Sequence, residues 1–132
     1  MELSKIYISN PYEENKHTND LYDLTVENVT KMYPNTDVWS SFKEDYRQKE
    51  LWVDIFNNKD KLDVVCVVTS GHIFLEPGKT WELVKEQVQD KTWWAIGHML
   101  DRTVSKGTYL RMFNSCYFIN VKEMKDHIRW ED

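Results

Sequence analysis

Apolar and polar positions along this chain follow two rhythms, and the change from one to the other marks the elements. The stretch LDVVCVVTSGHIFLE, residues 62 to 76, carries Val64, Val65, Cys66, Val67 and Val68 without a polar interruption, then turns abruptly to Thr69-Ser70-Gly71-His72. A continuous β-branched run predicts a strand buried on both faces, the kind that belongs to parallel sheets covered by helices. Ile6-Tyr7-Ile8 predicts a first strand, ended by the turn signal Asn10-Pro11. Thr36 to Ser40, around Val38 and Trp39, predicts a short second one. Trp93-Trp94-Ala95-Ile96, broken at Gly97, and Cys116-Tyr117-Phe118-Ile119 predict two more.

Helical spacing fills the gaps. Tyr22, Val26, Val29 and Tyr33 fall on one helical face, with Asn19 or Asp20 as N-cap and Pro34-Asn35 as the stop. Phe42, Tyr46, Val53 and Phe56 suggest a second face, closed by Asn57-Asn58. Pro77-Gly78 predicts a turn, after which Thr80 caps a helix burying Trp81, Val84 and Val88. A polar loop is expected from Arg102 to Gly107, and a short last helix carries Met124 and Ile128. This alternation predicts one small α/β domain with a mostly parallel central sheet flanked by helices.

Composition agrees with a folded single domain. The 132 residues are 41% hydrophobic and 30% charged, enough for a core but too few for two ordinary domains. Only 4 Gly and 3 Pro argue against a turn-rich all-β sandwich. A formal net charge of −5 without a basic block makes direct nucleic-acid binding an unfavourable reading. Cys66 and Cys116 lie in apolar runs and read as free buried thiols. The start MELSKIYIS has no signal-peptide core and no apolar stretch reaches membrane-spanning length, so a cytoplasmic protein is expected. The 6 Trp, 7 Tyr and 5 Phe supply either an aromatic core or a contact surface for sugars, bases or a partner protein.

Two constellations carry candidate chemistry. Ligands of open α/β sheets bind at the carboxyl ends of the strands, which selects Asn10 and Tyr12 after the first strand and Ser70, Gly71 and His72 after the third. An ordinary turn bearing a surface histidine explains the second group as well. GHMLDR, residues 97 to 102, and YLRMFNSCYFIN, residues 109 to 120, place His98, Asp101, Arg102, Arg111, Asn114 and Asn120 in loops flanking two strands. A histidine near a carboxylate can serve as a general base, and arginines can oppose a leaving diphosphate. The plainer alternative pairs Asp101 with Arg102 or Arg111 at the surface. No P-loop, GxGxxG, nucleophile elbow, HExxH or zinc pattern occurs.

The layout resembles the nucleotide-sugar-binding half of GT-A-type glycosyltransferases. The first strand and its polar turn (IYISNPY), the Tyr-Pro pair ending the next helix (KMYPNT) and the apolar strand VVCVVTSGHIFLEP all correspond, and GHMLDR and SCYFIN look like the acceptor-side strands. The chain is also similar to glycosyltransferase-like proteins encoded by large bacteriophages, which would place it in the host cytoplasm. The resemblance implies a GT-A/Rossmann-like fold, a bound nucleotide sugar or related phosphorylated ligand, and glycosyl transfer with His98 or Asp101 as base and Arg102 or Arg111 against the diphosphate. It departs where the family carries DxD: Thr69-Ser70-Gly71 cannot hold a divalent ion as two carboxylates would. The domain is then either metal-independent or a non-catalytic interaction module that engages a host protein from a degenerate transferase fold.

Overall fold

The structure is a computed structural model describing residues 2–40, 48–90, 95–104 and 107–125, with side chains described for 2–40, 48–86, 95–96 and 116–125. In chain order the elements are β1 (Leu3–Ser9), α1 (Lys16–Met32), β2 (Asp37–Ser40), α2 (Lys49–Asn57), β3 (Val64–Thr69), α3 (Pro77–Asp90), β4 (Ala95–Val104), β5 (Gly107–Asn120) and α4 (Val121–Met124). They form an α/β domain on a five-stranded sheet of order β2-β1-β3-β5-β4.

The apolar run of β3 occupies the centre of that sheet, as its composition requires. All six residues from Val64 to Thr69 are buried, with β1 parallel on one side and β5 antiparallel on the other. Alternation along the strands separates two cores. Ile6, Ile8, Val64, Cys66, Val68 and Phe118 face α1 and α3, meeting Tyr22, Val29 and Val84. Tyr7, Val65, Val67, Tyr117 and Ile119 face α2 and α4, meeting Leu51, Ile55, Val121 and Met124. Sheet residues with this burial have no solvated face, which is why the sequence shows no period of two there.

The sheet is mixed rather than mostly parallel. Among the described residues, β1–β2 and β1–β3 are parallel, whereas β3–β5 and β5–β4 are antiparallel. The cause is the absence of a helix between β4 and β5. A parallel return needs a crossover of a dozen residues or more, and here β5 starts three positions after β4 ends. So short a separation leaves only antiparallel pairing of the two strands, and β5 lies between β3 and β4.

Helix boundaries also differ from the expected ones. Asn15, not Asn19 or Asp20, is the N-cap of α1: its side chain accepts from the Thr18 amide and the Thr18 hydroxyl accepts from the Asn15 amide. This reciprocal pair satisfies two amides that a helix start leaves unbonded. Thr25 lies on the buried face of α1 and Val26 beside it. Pro77-Gly78 opens α3 instead of preceding it, consistent with proline's fixed φ at a first helical position. On α2, Leu51 and Ile55 are buried while Val53 is exposed. Phe42 and Tyr46, Trp93 and Trp94, and Ile128 lie outside the described residues. Among the described residues, no helix is long and apolar enough to cross a membrane.

Candidate functional site

The chain leaves β1 through α1 to reach β2, then returns through α2 to β3 on the other side of β1. Because α1 and α2 pack on opposite faces, the strand order reverses between β1 and β3. Such a switch point leaves a crevice at the carboxyl ends of the two strands, where neither crossover covers them. Ser9 and Thr69 are register partners at those ends, and the Ser70 amide donates to the Ser9 carbonyl at 2.8 Å.

The floor of this region is polar and buried. Ser9, Asn10, Thr69 and Ser70 are all nearly inaccessible. Gln48, which precedes α2 in a left-handed conformation (φ 56°), reaches the same edge. Its Nε2 donates to Ser9 Oγ at 3.4 Å, and its Oε1 accepts from Tyr117 Oη at 2.7 Å. Burial pushes the Tyr117 phenol upward, partly offset by a hydrogen bond with Trp52, so it is a neutral donor to Gln48. Ser70 Oγ is the exception. It is buried, only 1% of the residue is exposed, and it has no hydrogen-bond partner among the described residues. A buried hydroxyl left in that state costs roughly 1–3 kcal/mol, so it calls for a reason.

Main-chain donors in the turn are already committed. The Gly71 amide donates to Thr25 Oγ1 at 2.8 Å, and the His72 amide donates to the Thr69 carbonyl at 3.2 Å. Gly71 has φ 97°, a conformation that side-chain-bearing residues rarely adopt, and this conformation alone accounts for a glycine there. A phosphate at this edge would have to be met by side chains rather than by a cradle of amides.

Beside the floor, an open pocket of ≈ 590 Å³ lies between the end of β3, β5 and the start of α3. Val68, Ile73, Phe74 and Leu75 give it apolar walls, while His72, Glu76, Thr80 and Cys116 supply polar groups. The loop forming one wall is tied to α1 by a two-way amide clamp. The Phe74 amide donates to Asn28 Oδ1 at 2.7 Å, and Asn28 Nδ2 donates to the Phe74 carbonyl at 3.1 Å. His72 Nδ1 is 3.0 Å from the Thr69 carbonyl. A carbonyl cannot donate, so Nδ1 is the donor in this contact.

The expected cleft is thus divided. Asn10 and Ser70 stand together, one step beyond the Ser9–Thr69 pair. His72 lines the neighbouring pocket with its polar partners, and Tyr12 is 41% exposed, with its amide 3.4 Å from Asn10 Oδ1. Asp63 sits at the opposite, amino end of β3, where its carboxylate accepts from the Glu2 amide.

His98, Asp101, Arg102, Arg111 and Asn114 lie in strands, not in flanking loops. Beyond the Val68–Cys116 pair, β5 is partnered only by β4 among the described residues, so the β4–β5 hairpin runs on past the carboxyl end of β3. Asp101, Arg102 and Arg111 belong to this extension, with Arg111 opposite Leu100 and Arg102 opposite Tyr109. His98 and Asn114 fall in the register irregularity between the Gly97–Tyr117 and Met99–Met112 pairs. Their side chains lie outside the described residues. Sequence reasoning missed Gln48, Thr25 and Asn28, whose roles depend on which elements become neighbours and leave no local pattern. No protein-family model matches this chain, and no curated protein matches it in sequence.

Proposed function

We propose that this chain is a glycosyltransferase-like domain that binds a nucleotide sugar at the carboxyl edge of β1 and β3. The observation that carries this reading is the buried Ser70 Oγ, unpartnered among the described residues, at the topological switch point two positions before His72, which lines a pocket of ≈ 590 Å³. A ligand hydroxyl or phosphate oxygen would give Ser70 its missing partner. Apolar walls with a few polar groups suit a base or sugar ring, and the volume is in the usual range for small-molecule sites. The diphosphate charge would be met by Arg102 and Arg111 on the extended hairpin, since no carboxylate pair follows β3 and the turn amides are committed. If the domain is catalytic, His98 or Asp101 on the same hairpin is the base.

A thermal-shift screen against uridine- and guanosine-diphosphate sugars, free nucleotides and free sugars, with and without manganese, tests the reading. Saturation at roughly a hundredfold excess over Kd should raise Tm by about 10 °C for a domain of this size. No shift across common donors would remove the nucleotide-sugar assignment.

One observation favours the second reading, a non-catalytic protein-interaction module. Ile73 and Leu75 on the pocket's outer wall are exposed, with Leu75 at 79%, and Leu24 and Leu83 on α1 and α3 are also exposed. Exposed apolar side chains of this size beside a groove are a common feature of surfaces that dock other proteins.

A further inference from the structure

Four exposed apolar side chains gather along one groove. On α1, Leu21, Leu24 and Asn28 are three and four positions apart and so share one stripe of the helix. Both ends of that stripe meet the β3–α3 loop. Leu21 Cδ1 lies 4.0 Å from where a Cβ would stand on Gly71, and Asn28 holds the Phe74 main chain. Leu24, between them, therefore borders the loop beside Ile73. On the far side Thr80 lines the pocket with Ile73 and Leu75, and Leu83 follows Thr80 by one turn of α3. Leu24, Ile73, Leu75 and Leu83 are all exposed. We infer that this groove between α1 and α3 docks a basic amphipathic helix of a partner protein. The inference deepens the interaction-module reading and rests on it.

Charge selects a cationic partner. Asp20 and Glu27 flank Leu24 one turn away on either side, Asp23 precedes it, and Glu86 lies one turn beyond Leu83. These four carboxylates are exposed and make no ion pair among the described residues. The lysines of the same face are placed otherwise. Lys16 and Lys31 stand at the two ends of α1, while Lys79 and Lys85 are already paired with Glu76 at 3.3 Å and Glu82 at 2.7 Å. A second copy of the chain would set one acidic rim against another, and an anionic lipid surface meets the same repulsion.

The backbone favours a helix over an added strand. The Gly71, His72 and Phe74 amides are donated inward, to Thr25 Oγ1, the Thr69 carbonyl and Asn28 Oδ1. A strand laid on this loop would find those donors spent, whereas a helix satisfies its own main chain. Apolar residues at i, i+3, i+4 and i+7 give such a helix one stripe for the groove and leave its basic residues at the acidic rim.

Calorimetric titration of the native chain with two synthetic amphipathic helices of about 18 residues tests this, one built from Leu and Lys, the other from Leu and Glu at the same leucine spacing. The Leu/Lys helix should bind one-to-one, and the Leu/Glu helix at least about tenfold more weakly. Leu75→Ser and Leu83→Ser should each weaken the Leu/Lys complex about tenfold at an unchanged Tm, since both side chains are exposed in the free protein. Val53→Ser, on α2 across the sheet, should leave the complex unaltered. Glu27→Lys should weaken it about fivefold at low salt and less at high salt. Equal affinity for the two helices would overturn the basic partner and leave the interaction-module reading standing. Binding indifferent to Leu75→Ser and Leu83→Ser would overturn the groove, and a dimer that Leu75→Ser dissociates would assign it to a second copy instead. Silence from both helices would overturn the inference, and a nucleotide-sugar shift in Tm of the same preparation would then remove the interaction-module reading too.

Discussion

Tyr7 Oη donates a 2.6 Å hydrogen bond to Asp54 Oδ2, and Lys5 Nζ lies 2.9 Å from the same oxygen. The three groups join β1 to α2 across the second core. Burial alone would raise the Asp54 carboxyl, but the hydrogen bonds from Tyr7 and Lys5 and the lysine charge hold it below its usual value. Burial and the bond to Asp54 push the Tyr7 phenol upward. A depressed carboxyl contributes stability above its unfolded-state pKa of about 3.9 and loses it as pH falls through the folded value. Asp54→Ala should cost roughly 2–3 kcal/mol at pH 7, because it strips a charge-assisted bond and leaves Lys5 with the more distant Asp37 carboxylate at 3.8 Å. Urea melts from pH 7 down to pH 2 should show the gap between wild type and variant closing in acid. A gap independent of pH would contradict the assignment.

Val67 is inaccessible in the central strand and faces Leu51 and Ile55 across the sheet. Val67→Ala should lower stability by about 2–3 kcal/mol with an unchanged urea m-value. Val67→Asp should abolish folding, seen as loss of cooperative melting, since an unpaired carboxylate would be buried with nothing to bond it. A folded Val67→Asp protein would mean that β3 lies at an exposed edge.

For Ser70, stability and binding should part company. Removing an unpartnered buried hydroxyl is close to neutral, so Ser70→Ala should keep its unliganded Tm or gain up to about 1 kcal/mol. If Ser70 Oγ meets a nucleotide sugar, the same variant should lose about tenfold in affinity by calorimetric titration. Destabilisation without any effect on binding would show that Ser70 has an internal role instead.

Arg111 is the hairpin charge that tests the diphosphate assignment. Each charge-assisted contact to a diphosphate is worth roughly 1.5–3 kcal/mol. Arg111→Ala should therefore weaken nucleotide-sugar binding tenfold to a hundredfold with little change in Tm. An unaltered Kd would assign the diphosphate to other groups.

Much of the central architecture was legible because it is written in continuous composition. The run Val64 to Val68 announces a strand buried on both faces, and it is the central strand. Ile6 to Ile8 and Cys116 to Ile119 are strands as expected, and they flank it. Strand direction was harder to read, since side-chain chemistry is nearly the same in parallel and antiparallel ladders. The missing helix between β4 and β5 was the available signal, and its expected polar loop obscured it. Tyr22 and Val29 identified the buried face of α1, but its start was missed because the capping pair Asn15 and Thr18 lies among other polar residues. Asn10 and Ser70 could be placed at one edge from strand order alone. Gln48 could not, because its link to Ser9 and Tyr117 exists only once α2 has packed on the sheet.

The Asn28 clamp on Phe74 gives the pocket a dependence on distant structure. A loop that would otherwise exchange its amide hydrogens freely instead borrows both bonds from a helix 46 positions earlier. The Phe74 amide should therefore exchange at the opening rate of α1, not at that of a surface turn. The pocket wall can assemble only after α1 has docked, and it dissolves whenever that helix lifts away. Occupancy of the pocket and fraying of a helix that does not line it are then two readings of one equilibrium.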